Sequence, residues 1–148
     1  MRQTESDVSL SAPIERGRSR KILAISSRLE YHDSLGRILH ELDWSITRAF
    51  SCQQAIACLC RDRMAVIFCD CHLPDGTWRD ILSHTAELTE PPSVIVTSAT
   101  DDANLRAEVC TLGGYQLVTT PFFPEEVRCV ISAVWQQRVA PAGVLVPA

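Results

Sequence analysis

One aspartate of this 148-residue chain, Asp70, has the sequence surroundings of a functional carboxylate. It ends an apolar run at residues 66–69 (Val-Ile-Phe-Cys), and a turn sequence, Leu-Pro-Asp-Gly, follows at residues 73–76. Such a run is typical of a strand buried on both faces, which indicates a parallel sheet. Open α/β sheets place their chemistry at the carboxyl ends of the strands. We therefore expect Asp70 to lie in a functional crevice, the alternative being that it caps the following turn.

Hydroxyl-bearing residues follow the other predicted central strands. They are Ser26 and Ser27 after the first apolar run, Ser98 after the fourth, and Thr120, which precedes Pro121, after the fifth. Arg28 adjoins the serine pair and could bind an anion or pair with Asp70, although a solvated loop arginine is the simpler interpretation. Ser98 could likewise bond a ligand oxygen or only satisfy nearby backbone groups.

Five apolar strands alternate with five helical patterns along the chain. Leu35, Ile38 and Leu39 recur at helical spacing, which predicts a helix over about 30–42. Ser51 and Gln54 fit a capping box that opens the second helix. Further helices are predicted near 77–87, from Asp101 or Asp102 to Leu112, and from Pro124 onward. This alternation predicts a doubly wound α/β fold with a five-stranded parallel sheet in the order 2-1-3-4-5, which brings Asp70 and the hydroxyls into one crevice.

Length and composition describe one ordinary globular domain. Apolar residues make up 46% and charged residues 22% of the chain, and the net charge of −4 argues against a nucleic-acid or anionic-membrane partner. No apolar run reaches the length of a membrane span and no signal-peptide core is present, so we expect a cytoplasmic protein. Residues 1–19 are predicted to form a flexible leader, residues 20–138 the domain, and residues 139–148 a loose tail.

The seven cysteines are predicted to be reduced, mostly buried apolar residues. The segments Cys58-Leu59-Cys60 and Cys69-Asp70-Cys71-His72 suggest a metal site, but neither has the spacing of a zinc knuckle. We therefore favour packing over metal binding for these segments. Trp44, Trp78 and Trp135 are likewise interpreted as packing residues, although an exposed Trp135 on the last helix would allow a homodimer.

From about residue 20 to 138 the chain resembles the receiver domain of two-component response regulators. The resemblance rests on the apolar strand into Asp70 with its Leu-Pro-Asp-Gly turn, a strand into Ser98-Ala99, and Thr120-Pro121-Phe122 before the last helix. It implies the flavodoxin-like receiver fold, with Asp70 accepting a phosphoryl group from a histidine kinase or phosphotransfer protein. It also implies Mg²⁺ held by Asp70, by an acidic residue ending the first strand, and by the backbone carbonyl of His72. Ser98 would then bond a phosphoryl oxygen, and Thr120 would occupy the other phosphoryl-contacting position.

Four positions depart from the pattern of that family. Ser26 and Ser27 replace the acidic pair, which should weaken or abolish Mg²⁺ binding because neutral hydroxyls are poor ligands for a hard dication. Thr120 replaces a lysine that contacts the phosphoryl group. Leu117 stands where the family has an aromatic switch residue, and Tyr115, two residues earlier, would share its face at best.

Two functions are therefore predicted, both without enzymatic activity of the chain's own. The first is a stand-alone receiver domain in a phosphorelay, with Asp70 the phosphoacceptor and a downstream protein docking on the fourth helix, fifth strand and fifth helix. The second is a phosphorylation-independent pseudo-receiver that acts as a protein-interaction domain. A flavin-binding module on the same topology is a third, weaker interpretation, because Ser26-Ser27-Arg28 lacks the glycines of a phosphate-binding loop.

Overall fold

The computed structural model describes residues 20–139, so the predicted leader at 1–19 and the predicted tail from 140 onward lie outside the described residues. Val139, predicted to begin the tail, instead ends the last helix. The strands are β1 Lys21–Ile25, β2 Ser45–Ala49, β3 Val66–Asp70, β4 His72–Leu73, β5 Gly76–Thr77, β6 Ser93–Ser98 and β7 Gln116–Thr119. The helices are α1 Leu29–Glu41, α2 Cys52–Arg61, α3 Trp78–Thr85, α4 Ala103–Thr111 and α5 Pro124–Val139.

The five long strands form one parallel sheet in the order β2-β1-β3-β6-β7. This is the predicted 2-1-3-4-5 order, and the α/β flavodoxin-like receiver fold is confirmed. Because β1, β3 and β6 lie inside the sheet and carry apolar side chains on both faces, helices must cover both sides. One apolar cluster packs beneath α1 and α5 and includes Phe68, whereas the other packs beneath α2, α3 and α4 and includes Trp78.

The helix starts follow local capping rules. The Ser51 side chain accepts a hydrogen bond from the backbone N–H of Gln54 (3.1 Å), which confirms Ser51 as the cap of α2. The Gln54 side chain bonds the backbone N–H of Phe50, one residue before the cap, so the reciprocal half of the predicted capping box is displaced. Asp102 caps α4 through the backbone N–H groups of Asn104 and Leu105.

The segment after Asp70 is a short hairpin, a feature that the sequence pattern did not predict. Strands β4 and β5 pair antiparallel, with Pro74 and Asp75 at the turn. The Asp75 carboxylate accepts hydrogen bonds from the backbone N–H groups of Cys52 (2.7 Å) and Gln53 (3.0 Å). These bonds lower the pKa of Asp75 and stabilise the first turn of α2, as expected for an anion at a helix N-terminus. Asp75 therefore joins the turn after β3 to the start of α2 by a tertiary contact.

Within residues 20–139, every helix is too short or too polar to cross a membrane.

Candidate functional site

Asp70 lies at the carboxyl end of the central strand β3, with both carboxylate oxygens hydrogen-bonded inside the protein. Its Oδ2 atom accepts hydrogen bonds from the Ser26 hydroxyl (2.9 Å) and from Nε and Nη2 of Arg28 (both 3.3 Å). Its Oδ1 atom accepts one from the backbone N–H of Cys71 (3.1 Å). The Asp70 side chain is only 13% exposed, against 43% for Arg28. The arginine therefore covers the carboxylate from the solvent side.

Arg28 reaches Asp70 because of its place at the start of α1. It is the N-cap residue, with extended backbone angles (φ −99°, ψ 125°), and its N–H donates to the Ser26 hydroxyl at 3.1 Å. Its guanidinium lies 5.6 Å from the centre of the Tyr31 ring, within the range of a cation–π contact. The structure thus places Arg28 in the pair with Asp70 rather than free in solvent as the simpler interpretation had it.

Ser98 and Thr120 lie at the same edge of the sheet as Asp70, as predicted. The Ser98 hydroxyl accepts a hydrogen bond from the N–H of Thr100 (3.2 Å), and the Ser98 carbonyl accepts one from the N–H of Thr120 (2.8 Å). Thr120, which forms a cis peptide bond with Pro121, and Arg28 line one cavity of about 400 Å³. The Ser98 hydroxyl is therefore engaged locally, which is the alternative role that the sequence suggested.

The carboxyl edge of the sheet does not fit the Mg²⁺ site that the receiver family implies. Ser26 is fully buried and bonds Asp70, Ser27 is exposed, and His72, the predicted carbonyl ligand, is an exposed residue of β4. Within residues 20–139 no group of three or more His, Cys, Asp or Glu side chains is arranged to hold a metal ion. A divalent ion needs several oxygen ligands with balancing negative charge. In this structure the Asp70 carboxylate is paired with the Arg28 guanidinium.

Tyr31, on the first turn of α1, is a site residue that the sequence interpretation missed. Its side chain is 2% exposed, and its hydroxyl lies 2.8 Å from the Thr97 hydroxyl at the end of β6. Burial raises the pKa of this phenol well above its usual value, so Tyr31 stays protonated. The helical spacing of Leu35 and Leu39, extended back by one turn, would have identified Tyr31 as a core-facing residue.

The site thiols are also held in their protonated form. Burial raises the pKa of the Cys69 thiol and also that of Cys71, which is only partly buried. The charge of Asp70 raises both pKa values further. Burial likewise raises the pKa of Cys52 to about 11. Cys69 and Cys71 pack against the same apolar cluster. The arrangement suits packing residues, as the sequence suggested for these cysteines. For Cys60, Cys110 and Cys129, which are exposed, the prediction of buried cysteines was wrong.

The two residues considered for an aromatic switch lie on opposite sides of the sheet. Leu117, in β7, packs in the cluster under α2, α3 and α4, whereas Tyr115 packs against the cluster under α1 and α5. The prediction that Tyr115 shares a face with Leu117 was wrong. Tyr115 precedes β7, which begins at Gln116, so the two-residue alternation of a strand does not extend to it.

His32, the neighbour of Tyr31, makes the stability of this region dependent on pH. Its imidazole is buried; Nε2 lies 2.8 Å from the Ser26 carbonyl, and Nδ1 has no hydrogen-bond partner among the described residues. Burial lowers the pKa of His32 below its usual 6.5, opposed first by the hydrogen bond to the Ser26 carbonyl and then by Asp33, and reinforced by Arg48. The unfolded chain therefore binds this proton at a higher pH than the folded chain does.

We expect the free energy of unfolding to fall as the pH drops below about 6.5 towards the lowered pKa, and this His32 contribution to be complete above that range. Urea unfolding of the wild type and of His32→Gln, across about pH 8 to about pH 5, measures the effect. The substitution should flatten the profile, and His72→Gln, at an exposed residue outside the helices, serves as the control. Equal slopes for the wild type and His32→Gln would contradict the assignment.

Comparison with known proteins supports what the geometry indicates. Residues 22–132 match the family described as the response regulator receiver domain. The chain is similar to the hydrogenase transcriptional regulatory protein HoxA of Cupriavidus necator (27% identity over 107 residues, 72% of this chain). It is also similar to the probable transcriptional regulatory protein TcrX of Mycobacterium tuberculosis (36% identity over 84 residues, 57% of this chain). The matched segments cover only 22% and 36% of those two proteins.

Two solved structures share the fold. One is the receiver domain of a LuxO repressor protein from Vibrio parahaemolyticus (TM-score 0.76, 17% identity, covering 81% of this chain and 92% of that one). The other is the beryllofluoride-activated NtrC4 receiver domain dimer (TM-score 0.75, 20% identity, covering 80% and 98%). With the sheet order, the position of Asp70 and the family match all in agreement, the chain belongs to the response regulator receiver domain family.

Proposed function

We propose that this receiver domain signals through protein–protein contacts and that the charge of its Asp70 is balanced by Arg28, without Mg²⁺ and without phosphorylation. The observation that carries the proposal is the contact of Oδ2 of Asp70 with both Nε and Nη2 of Arg28 at 3.3 Å. An arginine keeps its positive charge in a protein, so Arg28 balances the charge of the Asp70 carboxylate without a bound dication. This is the pseudo-receiver function of the sequence analysis.

The charge around Asp70 supports this choice over phosphoryl transfer. Transfer relies on metal ions to neutralise the charge that develops on the phosphoryl oxygens. Hydroxyls occupy the positions of the acidic pair, and Thr120 occupies that of the lysine. A carboxylate that is already paired with a guanidinium is also a weaker nucleophile, because the attacking oxygen must first leave that partner.

The exposed surface of α4 supports a partner protein on the face formed by α4, β7 and α5. Val109 is the buried residue of α4, and Leu112, just beyond its end, is 49% exposed. HoxA and TcrX are described as transcriptional regulatory proteins, which suggests that the partner belongs to a regulatory assembly. The alternative is that a second copy of this domain binds to the same face. Size-exclusion chromatography distinguishes a homodimer from a monomer that needs a partner protein. The sequence suggested that an exposed Trp135 would allow a homodimer. Trp135 is instead half-buried against Trp44, which weakens that argument.

The placement of Asp70 favours a second candidate function, that of a phosphoacceptor for a histidine kinase or phosphotransfer protein. The carboxylate stands at the end of the central strand, and Ser98 and Thr120 lie along the same edge. For this function Arg28 would have to swing away, and Mg²⁺ would have to bind weakly through Asp70 and the His72 carbonyl.

Acetyl phosphate with Mg²⁺ distinguishes the two candidates. We expect the wild-type chain to show no phosphoryl mass gain and no amide NMR shift on titration with beryllofluoride and Mg²⁺. The control is Asp70→Asn, which removes the acceptor and should behave identically in both assays. A mass gain or a beryllofluoride response in the wild type that Asp70→Asn abolishes would overturn the proposal in favour of the phosphoacceptor.

A further inference from the structure

We infer that Tyr31 couples the charge state of the Asp70 site to the loop of residues 120–123 that precedes α5. The inference rests on the Arg28–Asp70 pair of the proposed function. Tyr31 contacts this site from two sides and the loop from a third. Substituting Tyr31 alone should therefore break the connection between the Asp70 site and the loop.

The first contact of Tyr31 is with the cation that covers Asp70. The Arg28 guanidinium lies over the ring at 5.6 Å while it pairs with the carboxylate at 3.3 Å. Arg28 therefore holds the ring and the carboxylate at the same time. When the arginine leaves Asp70, its position over the ring must change as well.

The second contact is a buried chain of hydrogen bonds beneath Asp70. The Thr97 hydroxyl donates to the carbonyl of Cys69 (3.3 Å), so it accepts from the Tyr31 hydroxyl at 2.8 Å. The Cys69 carbonyl belongs to the peptide group that joins Cys69 to Asp70. The position of the Tyr31 ring is thereby tied to the backbone that carries the carboxylate, in a region too buried for water to replace the bonds readily.

The third contact leads from the site to the surface. The ring of Phe122 meets that of Tyr31 edge-on at 5.0 Å and also packs on Phe68 at 6.1 Å. Phe123, the next residue, is 60% exposed, and its carbonyl accepts a hydrogen bond from the N–H of Val127 in the first turn of α5. Tyr31, Phe122 and Arg28 also line the same 400 Å³ cavity. Because packed rings move together, a shift of Tyr31 displaces an exposed aromatic residue that a partner can contact.

Among the described residues, the switch position of the family offers no equivalent path. Leu117 has neither a ring nor a hydroxyl, and it packs in the cluster under α2, α3 and α4, on the opposite side of the sheet from Tyr31. The Leu117 side chain has no polar atom, so it does not respond to a change in the hydrogen bonds of Ser98 or Thr97. Tyr31 of α1 therefore has the ring and the hydroxyl that Leu117 of β7 lacks.

Arg28→Met tests the coupling, because it removes the charge and keeps most of the apolar stem. In the wild-type background we expect this change to shift the amide NMR signals of Thr97, Phe122 and Phe123. In a Tyr31→Leu background the Phe122 and Phe123 shifts should largely disappear. Tyr31→Phe keeps the ring and loses the hydroxyl, so it should retain those shifts and lose the one at Thr97. The matched control, Arg79→Met, breaks an exposed pair with Glu108 and should leave all three signals unchanged.

Equal shifts at Phe122 and Phe123 in the wild-type, Tyr31→Phe and Tyr31→Leu backgrounds would overturn the inference, as would no shift in the wild type. If Tyr31→Leu does not fold, Phe122→Leu replaces it, with the response at Phe123 as the readout. None of these measurements uses phosphate or Mg²⁺. A phosphorylated Asp70 in the acetyl phosphate assay would thus refute the proposed function while leaving the coupling through Tyr31 to be decided separately.

Discussion

Rebuilding the acidic pair and the lysine converts Asp70 into an efficient phosphoacceptor. The rebuilt variant carries Ser26→Asp, Ser27→Asp, Arg28→Ala and Thr120→Lys, and we expect it to gain a phosphoryl group from acetyl phosphate only when Mg²⁺ is present. The Ser26 hydroxyl already lies 2.9 Å from Asp70, so a carboxylate at that position falls beside the acceptor. Arg28→Ala frees Oδ2, and the lysine supplies a charge for the phosphoryl oxygens.

The expected gain in the rate of modification is at least about 100-fold over the wild type, the size of effect that one well-placed electrostatic group has on a transition state. Intact-protein mass spectrometry over a time course measures the rate. Three neighbouring carboxylates repel one another without a cation, so Mg²⁺ should also raise the thermal midpoint of the rebuilt variant and leave that of the wild type unchanged. Adding Asp70→Asn to the rebuilt variant provides the control.

A rebuilt variant that binds Mg²⁺, remains folded and still fails to react would show that the four substituted positions are not what limits Asp70. The Arg28–Asp70 pair would then not be the reason why Asp70 is not phosphorylated. If the rebuilt variant reacts without Mg²⁺, the claim that phosphoryl transfer to Asp70 needs the charge of a metal ion would be wrong.

Trp78→Ala should cause the largest loss of stability of any single substitution proposed for this chain. Trp78 begins α3, is 1% exposed and packs in the cluster under α2, α3 and α4. Truncating a buried tryptophan to alanine costs about 3–5 kcal/mol, since both the transfer free energy and the cavity contribute. That is a large part of the total free energy of unfolding of a small domain, about 5–15 kcal/mol.

Trp135→Ala is the matched control for the Trp78 substitution. Trp135 is half-buried on α5, where it meets Trp44 edge-on at 5.2 Å and the Arg20 guanidinium at 5.1 Å. Part of its surface is already in water, and water can fill the space that it leaves, so its loss should cost clearly less. Urea unfolding followed by circular dichroism measures both variants. Equal losses for the two would contradict the burial assigned to Trp78.

The residues around Asp70 show how far local pattern reaches. The apolar runs ending at Ile25, Asp70 and Ser98 were sufficient to predict the strands, because burial on both faces leaves no room for polar residues. The sheet order followed from the alternation of strands and helices, and it brought Asp70, Ser98 and Thr120 to one edge as predicted. These features depend on the order of apolar and polar residues along the chain, which is visible without coordinates.

Other features depend on which side chains meet across the fold. The sequence favoured a solvated Arg28 over a pair with Asp70, 42 residues away, and only the angle at which α1 leaves β1 puts the guanidinium on Oδ2. The same holds for Asp75, whose carboxylate serves a helix that begins 23 residues earlier. Tyr31 was recognisable as a helix position but not as a bridge between Thr97 and Phe122, because that bridge joins three separate elements.

The strand that stops at Asp70 was therefore determined by the sequence alone, together with the receiver fold and the replacement of the acidic pair by Ser26 and Ser27. Those are statements about residue type and periodicity. Only the tertiary structure decided what neutralises the Asp70 carboxylate and which residue lies beneath it. A charge pairs with whichever opposite charge the packed helices bring within a few ångströms, and that distance is a property of the fold, not of the spacing along the chain.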